Sequence, residues 1–219
     1  MSDFYTKDDF LHEVEIDEEL DALPSEEALE RTIGNLRERN VAVTVCNSPD
    51  GAREYLRSAI PHGASVMNGH STTLQQLDFI EYLEDAEGFE YLGNEIRRTD
   101  DDAERQELRR KAVAVDVFFD APNAIATSGE LVAANGKGTS LGAWPYPAER
   151  LVLVSGTNKI VPSLEDAINR IRNVAYPLEN ARVKAAEGGK SVVGKLLIYE
   201  YEKQADRTEL VLLTGDYGF

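Results

Sequence analysis

Short apolar runs that alternate with helical patterns constrain the fold of this chain more than any other feature. The clearest run is RLVLVSG at residues 150–156, which suits a strand buried on both faces. Two further runs, VAVTV at 41–45 and ASVMN at 64–68, lie among segments with apolar residues at helical spacing. This alternation predicts an α/β fold with a mostly parallel sheet and helices on both faces.

The second half of the sequence continues the alternation and then changes. Residues 117–119 predict a strand, and AIATSGELVAAN at 124–135 predicts two strands around a Ser-Gly turn. Ser163 opens a capping box, and the helix that it begins is expected to end at Pro177. Two closing runs predict a C-terminal antiparallel strand pair at one edge of the sheet, at residues 195–202 and 209–215.

The length of the chain predicts one domain. It has 219 residues, enough for one substantial core, and no Pro- or Gly-rich linker divides it. Residues 1–22 are rich in acids with weak periodicity, so we predict an acidic N-terminal arm without chemistry of its own. Residues 23–219 then form the single α/β domain.

The charge balance bears on partners. Lys and Arg total 23 against 40 Asp and Glu, which gives a net charge of −17. Such an excess repels phosphate backbones and acidic lipid surfaces, so neither nucleic acid nor a membrane is expected as a partner. A uniformly acidic surface keeps a protein in solution at high ionic strength, which favours a salt-loving source.

The cysteine and histidine content bears on cofactors and location. Cys46 is the only cysteine, and His12, His62 and His70 form no metal-binding motif, so we expect no metal and no cofactor in this chain. The acidic start lacks the apolar core of a signal peptide, and no stretch reaches the roughly 18 apolar residues of a membrane span. We therefore expect a soluble cytoplasmic protein.

Three loops that follow predicted strands hold the candidate site residues, because ligands of open parallel sheets bind beyond the carboxyl ends of strands. In the first loop, glycine allows close approach and free helix amides hold anions, whereas a capping box of Thr72 and Gln75 is the alternative reading. His70 is a candidate acid or base. The candidate substrate- or anion-binding residues of this loop are Asn68, Gly69, Ser71, Thr72 and Thr73.

The other two loops carry glycine, amide and amine groups. The second is not a P-loop, because its glycine spacing differs, and its candidate binding residues are Asn135, Gly136, Lys137, Gly138 and Thr139. The third follows the clearest strand and offers Thr157 and Asn158 for binding and Lys159 for catalysis, with a solvated lysine as the alternative. Glu130 is a further candidate catalytic base, although a hairpin acid facing water is the commoner outcome.

Four segments together resemble the LUD-domain family, named for lactate utilization proteins: MNGHSTTL, APNAIATSGELVAANGKGTS, LVLVSGTNKIVPSLEDAINRIRNVAYPLENAR and LLTGDYGF. The resemblance runs from about Val41 to the C-terminus, and it is closest to lactate utilization protein C. It implies a fold similar to sugar-phosphate isomerases and coenzyme A transferases. It also implies a role in oxidising L-lactate to pyruvate beside iron–sulfur partner proteins.

Two departures limit what the resemblance implies. Many similar proteins carry several cysteines after the segment corresponding to residues 180–195, which has none here, so no cluster can be assigned to this chain. Ribose-phosphate isomerase relatives use a loop aspartate, and the nearest candidate here is Asn123, which cannot exchange protons as a carboxylate does.

Three functional hypotheses remain open. The first is a component of a lactate-oxidising system that carries no iron–sulfur cluster and binds a small anionic metabolite or partner subunits. The second is a self-contained isomerase or acyl-transfer enzyme acting on a phosphorylated or carboxylate substrate. The third is a metabolite-sensing regulatory module. The sequence leaves open whether the chain is catalytic alone and whether it forms a homo-oligomer.

Overall fold

Two β-sheets and eight α-helices make up residues 5–219, the part of the chain that the computed structural model describes. None of the helices in that part is long and apolar enough to cross a membrane. The helices are α1 (Glu26–Glu38), α2 (Pro49–Ser58), α3 (Thr72–Gln76), α4 (Phe79–Asp85), α5 (Leu92–Arg98), α6 (Asp102–Lys111), α7 (Leu164–Arg170) and α8 (Tyr176–Glu187). The strands are β1 (Ala42–Cys46), β2 (Ser65–Asn68), β3 (Glu90–Tyr91), β4 (Val117–Asp120), β5 (Ala124–Ala126), β6 (Leu131–Asn135), β7 (Arg150–Gly156), β8 (Ile160–Val161), β9 (Lys195–Tyr199) and β10 (Thr208–Leu213).

The larger sheet is parallel throughout, with strand order β1-β10-β7-β4-β2-β3. Its central strand β7 alternates between two separate cores: Leu151 and Leu153 pack into one, and Val152 and Val154 into the other. Because successive side chains of a strand point to opposite faces, this sheet is covered on both sides. The predicted α/β fold, with a mostly parallel sheet flanked by helices, is confirmed.

A smaller mixed sheet, with strand order β8-β5-β6-β9, packs beside the larger one. The predicted hairpin is its centre, because β5 and β6 pair antiparallel around the Ser128-Gly129 turn. Side chains from this sheet, such as Ile125 and Leu131, join Leu36 of α1 in the core on one face of the larger sheet. The other face is covered by α2, α3 and α4.

The predicted C-terminal antiparallel strand pair was wrong. Strand β9 pairs antiparallel with β6 at the edge of the smaller sheet, whereas β10 enters the larger sheet in parallel between β1 and β7. The physical reason lies in the sequence of β10, TELVLL, which is buried along almost its whole length. A strand apolar on both faces belongs in the interior of a parallel sheet, not in an edge hairpin.

The prediction that Pro177 ends its helix was also wrong. A π-helical segment at Ile171–Ala175 joins α7 to α8, which continues to Glu187. Proline cannot donate to the carbonyl four residues earlier, and that carbonyl, of Asn173, accepts instead from the amide of Asp17 at 3.1 Å. The N-terminal arm therefore supplies the hydrogen bond that the proline cannot make.

The arm packs back on its own chain over the residues described. Phe10 is buried against Val174, Leu178 and Phe219, beside the carboxyl edge of the larger sheet. A short 3-10 turn at Glu18–Asp21 follows, and it places a carboxylate close to the loops predicted to bind a ligand. The division between residues 1–22 and 23–219 stays a prediction.

Candidate functional site

A cavity of about 120 Å³ lies at the carboxyl edge of the larger sheet. Each predicted loop contributes one to three residues to its wall: His70, Ser71 and Thr72 from the first, Asn135 and Gly136 from the second, and Lys159 from the third. The three loops therefore converge: the first and third follow strands of the parallel sheet, as its ligand rule predicts, and the second follows β6 of the smaller sheet. Residues that complete the wall are Ala121, Asn123, Ala134, Ile171, Ala175, Tyr176, Glu179, Ser191, Val192, Val193 and Phe219.

The first loop is capped differently from the prediction. Ser71, not Thr72, is the N-cap of α3, since its hydroxyl accepts from the amide of Leu74 at 3.2 Å. The hydroxyl of Thr72 accepts instead from the amide of Phe219 at 3.3 Å. The sequence STTLQ allows either Ser71 or Thr72 to be the N-cap. The Thr72 hydroxyl is engaged by the C-terminal residue Phe219, and Ser71 caps the helix.

Lys159 follows β7 in a 3-10 turn and is 1% exposed. Its amine donates to the hydroxyl of Thr73 at 3.1 Å and to the carbonyl of Pro122 at 3.3 Å. Burial lowers the pKa of Lys159 to about 7, and the positive charge of Arg170 adds to this effect. The amine therefore exists in both protonation states near neutral pH, so it can bind an anion when charged or accept a proton when neutral.

Asp120, at the end of β4, is a second buried titratable group and was not predicted. It is 4% exposed, and burial raises its pKa to about 6. The hydrogen bond from Trp144 Nε1, at 2.8 Å, and the charge of Lys159 oppose this rise. A Cβ atom on Gly69 would lie 2.3 Å from Asp120 Oδ1. The contact with Asp120 explains why position 69 is a glycine, independently of the close ligand approach that the sequence suggested.

A buried ion network lies behind Lys159 and includes the N-terminal arm. Arg170 is completely buried, donates to the carbonyl of Asn123 at 2.5 Å, and pairs with Asp21. The carboxylate of Asp21 also accepts from Lys7 at 2.5 Å and from Asn158 Nδ2 at 3.2 Å. Within residues 5–219, Arg170 Nε has no hydrogen-bond partner. The arm therefore neutralises a buried cation whose charge acts on Lys159, a role that its sequence did not predict.

His70 lies between two cavities and lines both. Its side chain is exposed to these spaces, yet the surrounding protein lowers its pKa below the usual value. Desolvation is the larger cause and the positive charge of Arg182 the second. An imidazole at the rim of a cavity is placed to exchange a proton with a ligand, so the geometry is compatible with the predicted role of His70.

The remaining candidates of the second and third loops lie outside the cavity wall. Lys137, Gly138 and Thr139 are absent from it, and the amide of Gly138 bonds Asn135 Oδ1 at 2.6 Å to close the turn. Thr157 and Asn158 are buried and hold the C-terminal segment: the Thr157 hydroxyl accepts from the amide of Gly215 at 3.0 Å, and Asn158 Oδ1 accepts from the amide of Tyr217 at 3.2 Å. Asn68 faces the second cavity, where its Oδ1 accepts from Tyr91.

Glu130 lies apart from the other candidate catalytic residues. It begins the run that forms β6, whereas the cavity is reached from the end of that strand at Asn135. Its carboxylate pairs with Arg39 at 2.5 Å and accepts from the hydroxyl of Ser128. The structure therefore gives Glu130 local ion-pair partners and does not bring it together with Lys159.

No group of three or more His, Cys, Asp or Glu side chains within residues 5–219 is arranged to hold a metal ion. The polar groups of the cavity are an amine, an imidazole, a carboxylate, hydroxyls and amides. The amine, hydroxyls and amides can donate to an oxygen-rich anion, whereas the carboxylate, of Glu179, can only accept.

The comparisons with known proteins bear on the family and the fold. The model of the LUD domain matches residues 29–191 of this chain. A DUF162 family protein from Deinococcus radiodurans has a similar structure, with a TM-score of 0.51 and 11% identity, covering 89% of this chain and 100% of that chain. The eIF2B delta structure from Chaetomium thermophilum gives a TM-score of 0.33 at 13% identity, over 65% of this chain and 55% of that chain. No protein of curated function matches the sequence.

Proposed function

The chain belongs to the LUD-domain family, and we propose that it is a lactate utilization protein that binds a small carboxylate in the cavity beside Lys159. The observation that carries the proposal is the buried amine in the wall of a cavity with hydroxyl and amide neighbours. An ammonium has three donors, and Lys159 uses two of them on Thr73 and Pro122. The third is left for a ligand carboxylate.

The electrostatics favour an anion over a neutral ligand. Taking the Lys159 ammonium out of water carries a free-energy cost, which is what lowers its pKa to about 7. A carboxylate entering the cavity supplies a counter-charge at close range and offsets part of that cost. L-lactate and pyruvate are carboxylates of a size suited to a small cavity. We propose them as ligands because the family is named for lactate utilization.

In the proposed system the chain contributes ligand binding or subunit contacts, and iron–sulfur partner proteins carry the electrons. Hydride or electron removal from lactate needs an acceptor, and we propose iron–sulfur clusters of partner subunits for that role, as the family resemblance implies. We also propose a cytoplasmic location in a salt-loving organism, and the net charge of −17 supports the salt-loving source.

A thermal-shift panel in high salt tests the ligand class. L-lactate, pyruvate, a sugar phosphate and an acyl-coenzyme A are added separately, and a ligand at 100 times its dissociation constant adds about 2.7 kcal/mol to stability. We expect stabilisation by lactate or pyruvate that Lys159→Met abolishes and that Lys184→Met, an exposed lysine on α8, retains. If neither L-lactate nor pyruvate raised the melting temperature of the native chain, the proposal would be refuted.

Reconstitution tests the place of the chain in the system. The purified chain alone should be colourless and should not oxidise lactate, and adding iron–sulfur partner proteins should restore oxidation. Unaided lactate oxidation by this chain would contradict the division of roles.

A second candidate function, a self-contained isomerase or acyl-transfer enzyme, is favoured by one observation. Asp120 and Lys159 have pKa values moved to about 6 and about 7 from opposite directions, and groups that titrate near neutrality suit proton transfer. Turnover of a sugar phosphate or an acyl thioester by the chain alone, with a bell-shaped pH profile, would favour this candidate over the first.

A further inference from the structure

A second cavity, of about 630 Å³, adjoins the first at His70, which lines both. Its wall carries three arginines, Arg97, Arg109 and Arg182, and a single carboxylate, Glu84. This excess of positive charge stands out on a chain with a net charge of −17. Arg97 and Arg182 are paired with carboxylates, so the uncompensated positive charge in this wall is that of Arg109, and it favours an anion in the cavity.

Two of the three arginines are held in place by neighbours. Arg182 makes a two-pronged ion pair with Glu179, at 2.7 and 2.9 Å, and only 11% of its side chain is exposed. The guanidinium of Arg97 pairs with Glu84 and lies 5.9 Å from the ring centroid of Tyr91. These contacts fix both guanidinium groups in advance, which reduces the entropy lost when a ligand binds.

Arg109 differs from the other two because its charge is not compensated. It lies in the last turn of α6, is half-buried, and makes no ion pair or side-chain hydrogen bond with any residue of the described range 5–219. The guanidinium therefore keeps all of its donors for a ligand in the cavity. Its planar fork matches the oxygens of a phosphate group in a two-pronged arrangement.

The two cavities share more than His70. The loop after β2 supplies Asn68 and Gly69 to the second cavity and Ser71 to the first. Helix α8 likewise lines the first with Glu179 and the second with Arg182, one turn apart. The two cavities are therefore neighbours along the loop after β2 and along α8.

We infer that the second cavity is a phosphate subsite, and that the full ligand is a phosphorylated carboxylic acid with its carboxylate beside Lys159 and its phosphate beside Arg109. The inference rests on the proposed function for the carboxylate end and on the arginines for the phosphate end. A carboxylate without phosphate occupies only the first cavity, and inorganic phosphate only the second.

Calorimetric titration of the full chain with inorganic phosphate, at fixed ionic strength, tests the subsite. Arg109→Gln should weaken phosphate binding at least tenfold, which is the effect of losing one charge-assisted hydrogen bond. Arg110→Gln changes the next residue of the same helix, which is exposed and outside the cavity, and should alter the affinity less than twofold. Pyruvate binding should be unchanged in both variants, and 3-phosphoglycerate should compete with both phosphate and pyruvate.

The outcomes separate this inference from the proposed function. No phosphate binding to the native chain, or equal weakening by the two arginine variants, would overturn the subsite even if pyruvate binds normally. Phosphate binding that depends on Arg109, in a chain that fails to bind pyruvate, supports the subsite and rejects the carboxylate site instead. If 3-phosphoglycerate displaced phosphate but not pyruvate, that result would overturn the single-ligand arrangement. Thermal unfolding of Arg109→Gln confirms that the variant is folded.

Discussion

Replacing the buried amine of Lys159 by the apolar side chain of methionine should make the protein more stable near neutral pH. Folding lowers the pKa of this group from 10.5 to about 7. At about 1.4 kcal/mol per tenfold change in an equilibrium constant, that shift costs the folded state roughly 5 kcal/mol at pH 6.5. The variant loses hydrogen bonds to Thr73 and Pro122, about 1 kcal/mol each, so its net gain is roughly 2–3 kcal/mol.

The pH dependence gives the prediction its sign. The unfolded chain holds the Lys159 proton up to about pH 10.5, whereas the folded chain releases it near pH 7, so the native protein gains stability as the pH rises between these values. From pH 6.5 to 9.5 it should gain about 3 kcal/mol that Lys159→Met does not. The two proteins should therefore be almost equally stable at pH 9.5.

Urea unfolding followed by the fluorescence of Trp144, at several pH values, measures both effects. Lys184→Met serves as the control, because that exposed lysine should give no pH-dependent difference from the native chain. A Lys159→Met curve that runs parallel to the native one at every pH would refute the reasoning, since it would mean that the amine titrates normally in the folded protein.

Two further variants test the packing of the site by urea unfolding. Gly69→Ala should lower the free energy of unfolding by about 1–3 kcal/mol, because the added methyl group meets the carboxylate of Asp120. Gly34→Ala has open space around it and should stabilise α1 by up to about 1 kcal/mol. Equal effects of the two substitutions would contradict the contact between Gly69 and Asp120. Asp21→Asn should cost about 3–5 kcal/mol by leaving the buried charge of Arg170 uncompensated, and Glu19→Gln, an exposed acid of the same turn, should cost little. A small loss for Asp21→Asn would show that the arm does not support the site.

The sequence predicted the parallel sheet because its signal is local. Strand β7 was placed at residues 150–156 from its apolar run alone, and the structure has the same bounds. The antiparallel C-terminal pair failed because two runs that are adjacent in sequence enter different sheets. Periodicity identifies a strand but does not specify its partner, which depends on the burial of both faces.

The site was predicted in part, for a similar reason. The rule about carboxyl ends of strands singled out Lys159 and Ser71, and the structure places both in one cavity wall with Asn135, which ends a strand of the smaller sheet. The same rule, applied at the end of VFFD, points to Asp120, which was not among the predicted candidates. Arg170 and Asp21 could not be found this way, because their pairing spans 149 positions in the sequence and no local pattern announces it.

The most direct test of the central claim is a calorimetric titration of pyruvate across pH at constant high salt. With the pKa of Lys159 at about 7, the protonated fraction falls roughly 25-fold between pH 6.5 and 8.5. The dissociation constant should rise by about that factor, with uptake of close to one proton per pyruvate bound at the higher pH, and Lys159→Met should bind weakly at every pH. An affinity that stays constant across this range, or that survives Lys159→Met unchanged, would contradict the claim that the buried amine is the anion contact of this cavity.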